Sequence, residues 1–157
     1  MRNILGTSIL LIGVALVTVT SVSAADQSLG SWKLNMEKSK FSPSAPVKSL
    51  TTVREASDGG VKVTTTGERA DGTPINASYT AKYDGNPSPV TGAPYDSIAI
   101  KQVNAHAFTA TQKSSSTKYS TTLRSVIAAD GKTMTNTVKG IGADGNPVRY
   151  TMVYEKQ

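Results

Sequence analysis

The chain has 157 residues, of which 38% are hydrophobic and 18% charged, with 17 Lys and Arg against 11 Asp and Glu. That length fits one ordinary domain, and the low apolar fraction is balanced by 20 Thr and 18 Ser rather than by charge, a composition of half-wet β-strands and not of disorder. Cysteine is absent, which excludes disulfides, thiol nucleophiles, thiolate metal sites and a lipid-modified N-terminal Cys.

The first element is an address. Arg2, an apolar run from Ile4 to about Val19 and the small residues Val22-Ser23-Ala24-Ala25 are the three parts of a secretory signal peptide. A membrane anchor is the competing reading, disfavoured by the Thr, Ser and Gly within the run and by the lack of a basic stop-transfer cluster after it. The expected organisation is therefore residues 1–24 as signal peptide and 25–157 as one mature domain, periplasmic or secreted, without stable membrane insertion. Loss of Arg2 leaves 16 basic and 11 acidic residues, a net charge of +5. These Lys and Arg are scattered singly from Lys33 to Lys156 with no interleaved aromatic platform, so they read as a solvated face and nucleic-acid binding is not expected.

From Gly30 onward, apolar and polar residues alternate with period two, the pattern of an antiparallel sheet with one wet face. The predicted strands are Gly30–Met36, Lys48–Glu55, Val61–Gly67, Ile75–Tyr83, Ser97–Asn104, Ala107–Lys113, Lys118–Ile127 and Thr133–Gly140, and a ninth that carries Val148, Tyr150, Met152 and Tyr154. In the clearest, Ile75, Ala77, Tyr79, Ala81 and Tyr83 share one face, opposite Asn76, Ser78, Thr80 and Lys82. Asp-Gly pairs at 58–59, 71–72, 84–85, 130–131 and 144–145 supply turns whose glycines tolerate positive φ, and Asn104-Ala105-His106 closes another hairpin. Two turns share a longer match 73 residues apart, Gly67-x-x-Ala70-Asp71-Gly72-x-Pro74 and Gly140-x-x-Ala143-Asp144-Gly145-x-Pro147, either an old duplication or one turn solution used twice. Residues 84–96, rich in Pro and Gly, read as the one long connection.

Short strands joined by short hairpins leave two sheet edges exposed unless the sheet closes on itself. The expected fold is all-β, a single antiparallel up-and-down barrel of eight or nine strands, with a two-sheet sandwich as the alternative. An outer-membrane barrel is set aside because one face of each strand is Thr, Ser, Lys or Asn where lipid would require apolar side chains.

Chemistry-bearing residues are sparse. Five of the seven Asp belong to Asp-Gly turns, where backbone geometry explains them. His106 is the single histidine and sits in a turn, so a triad or multi-His metal site would have to be built around it. No phosphate-cradling Gly-rich loop precedes a helix. No catalytic residue, metal or cofactor is expected. The projected inner face, by contrast, mixes Ile, Val, Leu and Met with Tyr79, Tyr83, Tyr150 and Tyr154 and with small residues such as Ala77 and Ala110. Apolar walls with a few phenol hydroxyls suit a ligand cavity, and they equally suit a filled barrel core.

Gly30-Ser31-Trp32, opening the first strand, resembles the G-x-W signature of the lipocalin barrel. The lipocalin T-D-Y motif is absent, so the likeness is to the wider lipocalin-like, or calycin, group. It implies that Trp32 closes one barrel end against a basic side chain of the last strand, for which Arg149 is the best match. Gly30-Ser31-Trp32-Lys33-Leu34-Asn35, Lys38-Ser39-Lys40-Phe41-Ser42, Tyr83-Asp84-Gly85, Pro89-Val90-Thr91-Gly92 and Val153-Tyr154-Glu155-Lys156-Gln157 are similar to segments of a group of small exported bacterial proteins. That similarity implies compartment and fold and supplies no site residues. The expected role is binding of a small, largely apolar ligand, with Tyr79, Tyr83, Tyr150 and Tyr154 as hydroxyl donors. The rivals are a solid barrel that acts as a structural or protein-interaction module, its protein partner unspecified, and a hydrolase built around His106.

Overall fold

The computed structural model describes residues 26–157, so the predicted leader lies outside the described residues. Ten antiparallel strands follow one another: β1 (Gly30–Ser42), β2 (Val47–Ser57), β3 (Gly60–Arg69), β4 (Pro74–Lys82), β5 (Asp84–Thr91), β6 (Ser97–Asn104), β7 (Ala107–Lys113), β8 (Ser120–Ile127), β9 (Thr133–Ile141) and β10 (Pro147–Lys156). Each strand pairs with its neighbours in sequence, and β1 pairs with β10, giving a closed up-and-down barrel. Closure removes the free edges that a ten-strand sheet would otherwise expose. Among the described residues no helix is long and apolar enough to cross a membrane.

The count exceeds the expected eight or nine because β5 occupies most of the segment read as a connection. Pro87 and Pro89 caused that reading, since proline cannot donate to a sheet ladder. Val90 donates its N–H to Asp96 on the β6 side, so the alternate residues Pro87 and Pro89 turn their missing donors toward β4. The β5–β6 ladder survives, pairing Pro87 with Ala99, Ser88 with Ile98 and Pro89 with Ser97. The β4–β5 seam is correspondingly thin, with Ser78 opposite Thr91 and Tyr79 opposite Val90.

The hairpins work differently from the simplest Asp-Gly scheme. Among the described residues no non-glycine has positive φ, so each Asp stays in ordinary space and only the following Gly is left-handed. The carboxylate instead accepts a backbone N–H two residues on: Asp71 from Thr73, Asp84 from Asn86, Asp130 from Lys132 and Asp144 from Asn146, each at 2.9 Å. The 73-residue match holds in three dimensions. Gly72 and Gly145 have φ of 89° and 85°, and each donates its N–H across three residues, to Arg69 and Gly142 respectively, at 3.0 Å. Strand β1 carries an irregularity between Asn35 and Lys40, where the Ser39 hydroxyl donates to the Asn35 carbonyl at 2.6 Å and accepts the Val153 N–H at 2.9 Å.

The core lines the barrel interior. Trp32, Leu34, Val61, Val63, Ile98, Ile100, Phe108, Ile127, Met134 and Tyr154 are buried there, as period-two projection predicts.

Candidate functional site

One end of the barrel is stoppered by the segment before β1. Asp26 accepts the Ser28 N–H at 2.8 Å on one carboxylate oxygen and the Tyr83 hydroxyl at 2.6 Å on the other. The Trp32 indole N–H donates to the Ser28 carbonyl at 2.8 Å, and both residues are fully buried. Tyr83 packs on Phe108 with ring centroids 4.9 Å apart.

A basic side chain of the last strand does cover Trp32, but it is Lys156 and not Arg149. The Lys156 Nζ lies 5.1 Å from the indole centroid, and Trp32 is paired with Lys156 in register. Arg149 is exposed at the opposite end of the barrel, beside Ser42 of β1 and Lys139 of β9. The reason is chain polarity: in an antiparallel pair the start of β1 must meet the end of β10, and Arg149 lies near the start of β10.

Above the plug lies a cavity of about 250 Å³. Ten strands leave more interior than the roughly eight at which side chains just fill a barrel. Its walls are apolar for the most part, with Val63, Ile75, Ile98, Ile100, Val138 and Met152 among them, and it reaches solvent near Pro46, Gly92 and Pro94, which are exposed. Tyr95 and Tyr119 stack at 5.5 Å near this mouth, and Phe41 and Tyr150 meet at 5.6 Å.

Polar groups are placed at intervals along the wall. Tyr79, Tyr95, Tyr119, Tyr150 and Tyr154 all line it. Burial pushes each phenol above its ordinary value, most firmly in Tyr95 and Tyr154, so at neutral pH they are hydrogen-bond donors and not phenolates. On β7 and β8, the buried Thr121 hydroxyl donates to the Gln112 side-chain amide oxygen at 2.9 Å, and Ser125 donates to the Asn136 side chain on β9.

Of the four tyrosines expected to face a ligand, Tyr79, Tyr150 and Tyr154 lie in the cavity wall. Tyr83 does not line it: its hydroxyl is committed to Asp26, and burial followed by that hydrogen bond pushes its pKa up to about 12. Arg54, which the scatter of basic residues assigns to the solvated face, is an interior group. It lines the cavity, with its guanidinium carbon 5.9 Å from the Phe108 centroid. The signal was present, since Arg54 shares the parity of Leu50 and Thr52 on β2, both buried.

His106 is exposed in the β6–β7 turn, its backbone N–H held by the Asn104 side chain at 2.9 Å. Among the described residues no three His, Asp or Glu side chains converge as metal ligands would. No protein-family model matches the chain, and no curated protein is significantly similar to it.

Proposed function

We propose that this is an exported, lipocalin-like barrel that binds a small, largely apolar molecule in its interior. The observation that carries the reading is the cavity itself, apolar over most of its wall and studded with protonated tyrosine hydroxyls. An engineered apolar cavity of about 150 Å³ already takes up benzene, so 250 Å³ is ample for a small guest. The plug at the Trp32 end and the exposed residues at the other support entry from the end marked by Pro46, Gly92 and Pro94. Export rests on the signal-peptide pattern of residues 1–24, and the lipocalin-like relationship on the Gly30-Ser31-Trp32 opening together with the basic cover over Trp32.

Uptake of the neutral fluorescent probe N-phenyl-1-naphthylamine by the mature protein tests the binding reading. Emission should rise saturably with wild type. It should be lost in Ala110→Trp, which places an indole into the cavity from β7 opposite Ile100 and Leu123. Circular dichroism melts would confirm that the variant is folded. No uptake by wild type, or equal uptake by the folded filled variant, would leave a solid structural barrel as the better description.

A further inference from the structure

Arg54 is out of place in an apolar barrel. A guanidinium keeps its charge under all ordinary conditions, and burying a cation without a partner is costly. Yet among the described residues no carboxylate lies within 4.0 Å of it, the ion pairs being Lys38–Glu155, Lys48–Glu68 and Lys62–Glu55 on the exterior. The Asp26 carboxylate, at the same end of the barrel, has both oxygens engaged, by Ser28 and Tyr83. The Arg54 Nε is fully buried and has no hydrogen-bond acceptor. Its guanidinium carbon lies 5.9 Å from the Phe108 ring centroid, and beside it is the Tyr79 hydroxyl, on which the guanidinium partly offsets the upward push of burial.

Resting on the cavity-binding reading, we propose that the guest carries a carboxylate at one end and enters that end first, to be held by Arg54 near the plugged end of the barrel. The Nε–Nη edge of a guanidinium offers two parallel donors at the spacing of the two carboxylate oxygens, and Nε is the donor left free here. Tyr79 stands beside it as a further donor. One Arg with neutral neighbours matches a single negative charge; a phosphate monoester would bring nearly two charges into the same apolar space with one cation to meet them. The apolar remainder of the guest would lie along Ile98, Ile100, Val138 and Met152 toward the mouth.

Displacement of N-phenyl-1-naphthylamine by decanoate, decanol and decyl phosphate tests this. Decanoate should compete at least about 10-fold better than decanol with wild type, the scale of a charge-assisted hydrogen-bond pair. Arg54→Met should abolish that preference while decanol still competes, and Arg54→Lys, which keeps the charge and loses the fork, should retain part of it. Arg124→Met, which removes an equal charge from the exposed outer face of β8, should change nothing. A preference that survives in Arg54→Met, or decanol competing as well as decanoate with wild type, would overturn the proposal. Tighter binding of decyl phosphate than of decanoate would overturn the carboxylate assignment. If the dye is taken up and only the preference fails, the cavity-binding reading stands without this headgroup; if the dye is not taken up, both fall.

Discussion

Replacing Gly140 by Ala should cost far more than a methyl group suggests. Gly140 lies on β9 opposite Thr121 of β8 with φ of 149°, a backbone region that L side chains rarely adopt. A Cβ built there would overlap the Ser120 carbonyl oxygen and come within 2.8 Å of Thr121 Cα. Both are backbone atoms of a paired strand, so the overlap cannot be relieved by turning a side chain. The strained backbone alone is worth about 1–3 kcal/mol. Moving β9 off β8 to relieve the overlap sacrifices one or two ladder hydrogen bonds at roughly 1 kcal/mol each. The expected total is about 2–5 kcal/mol, a large share of the roughly 5–15 kcal/mol available to a domain of this kind. Gly72→Ala is the internal comparison, because its φ is 89° but its Cβ would meet nothing closer than 3.7 Å, leaving only the strain of about 1–3 kcal/mol. Urea melts of the two variants and wild type, fitted with a common m-value, measure the difference. Equal midpoints for Gly140→Ala and Gly72→Ala would refute the claim that backbone approach, and not φ alone, requires glycine at 140.

A double-mutant cycle on Trp32→Phe and Lys156→Met should show coupling of about 0.5–1 kcal/mol, whereas Trp32→Phe with Arg149→Met should be additive; coupling to Arg149 instead would contradict the observed register. The Glu155 carboxyl is held below its ordinary value by its hydrogen bond to Lys38, Asp96 by the Ser115 hydroxyl, and Asp71 and Asp144 by the N–H groups of Thr73 and Asn146. Depressed folded-state values stabilise the barrel above the ordinary carboxylate range of about pH 4, and that stability is lost as the pH falls through the lowered values. Thermal midpoints should therefore fall on acidification from pH 5 to pH 2, less steeply in Glu155→Gln; a rising midpoint would contradict the assignment. When the full chain is expressed, intact mass should place the mature N-terminus at Ala25 or Asp26, and a chain retaining residues 1–24 in the membrane fraction would revive the anchor.

Much of this barrel is legible in the amino-acid order because strand formation is local. Alternation assigns Ile75, Tyr79 and Ala81 to one face without knowledge of their neighbours, and Asp-Gly marks three hairpins, at Asp71, Asp130 and Asp144, where a carboxylate and a glycine solve the turn within a few residues. The same parity rule places Arg54 inside with Leu50 and Thr52, against the general tendency of cations to lie at the surface. What alternation cannot supply is the pairing of distant segments. Whether Pro87 and Pro89 break a strand depends on which neighbour their missing donors face, and that is decided by the β4–β5–β6 arrangement. Lys156 rather than Arg149 covers Trp32 because the first and last strands close antiparallel, bringing together residues 124 positions apart. The cavity, too, depends on the tenth strand: eight strands would leave the inner side chains to fill one another's space, and ten set the walls far enough apart to leave room for a guest.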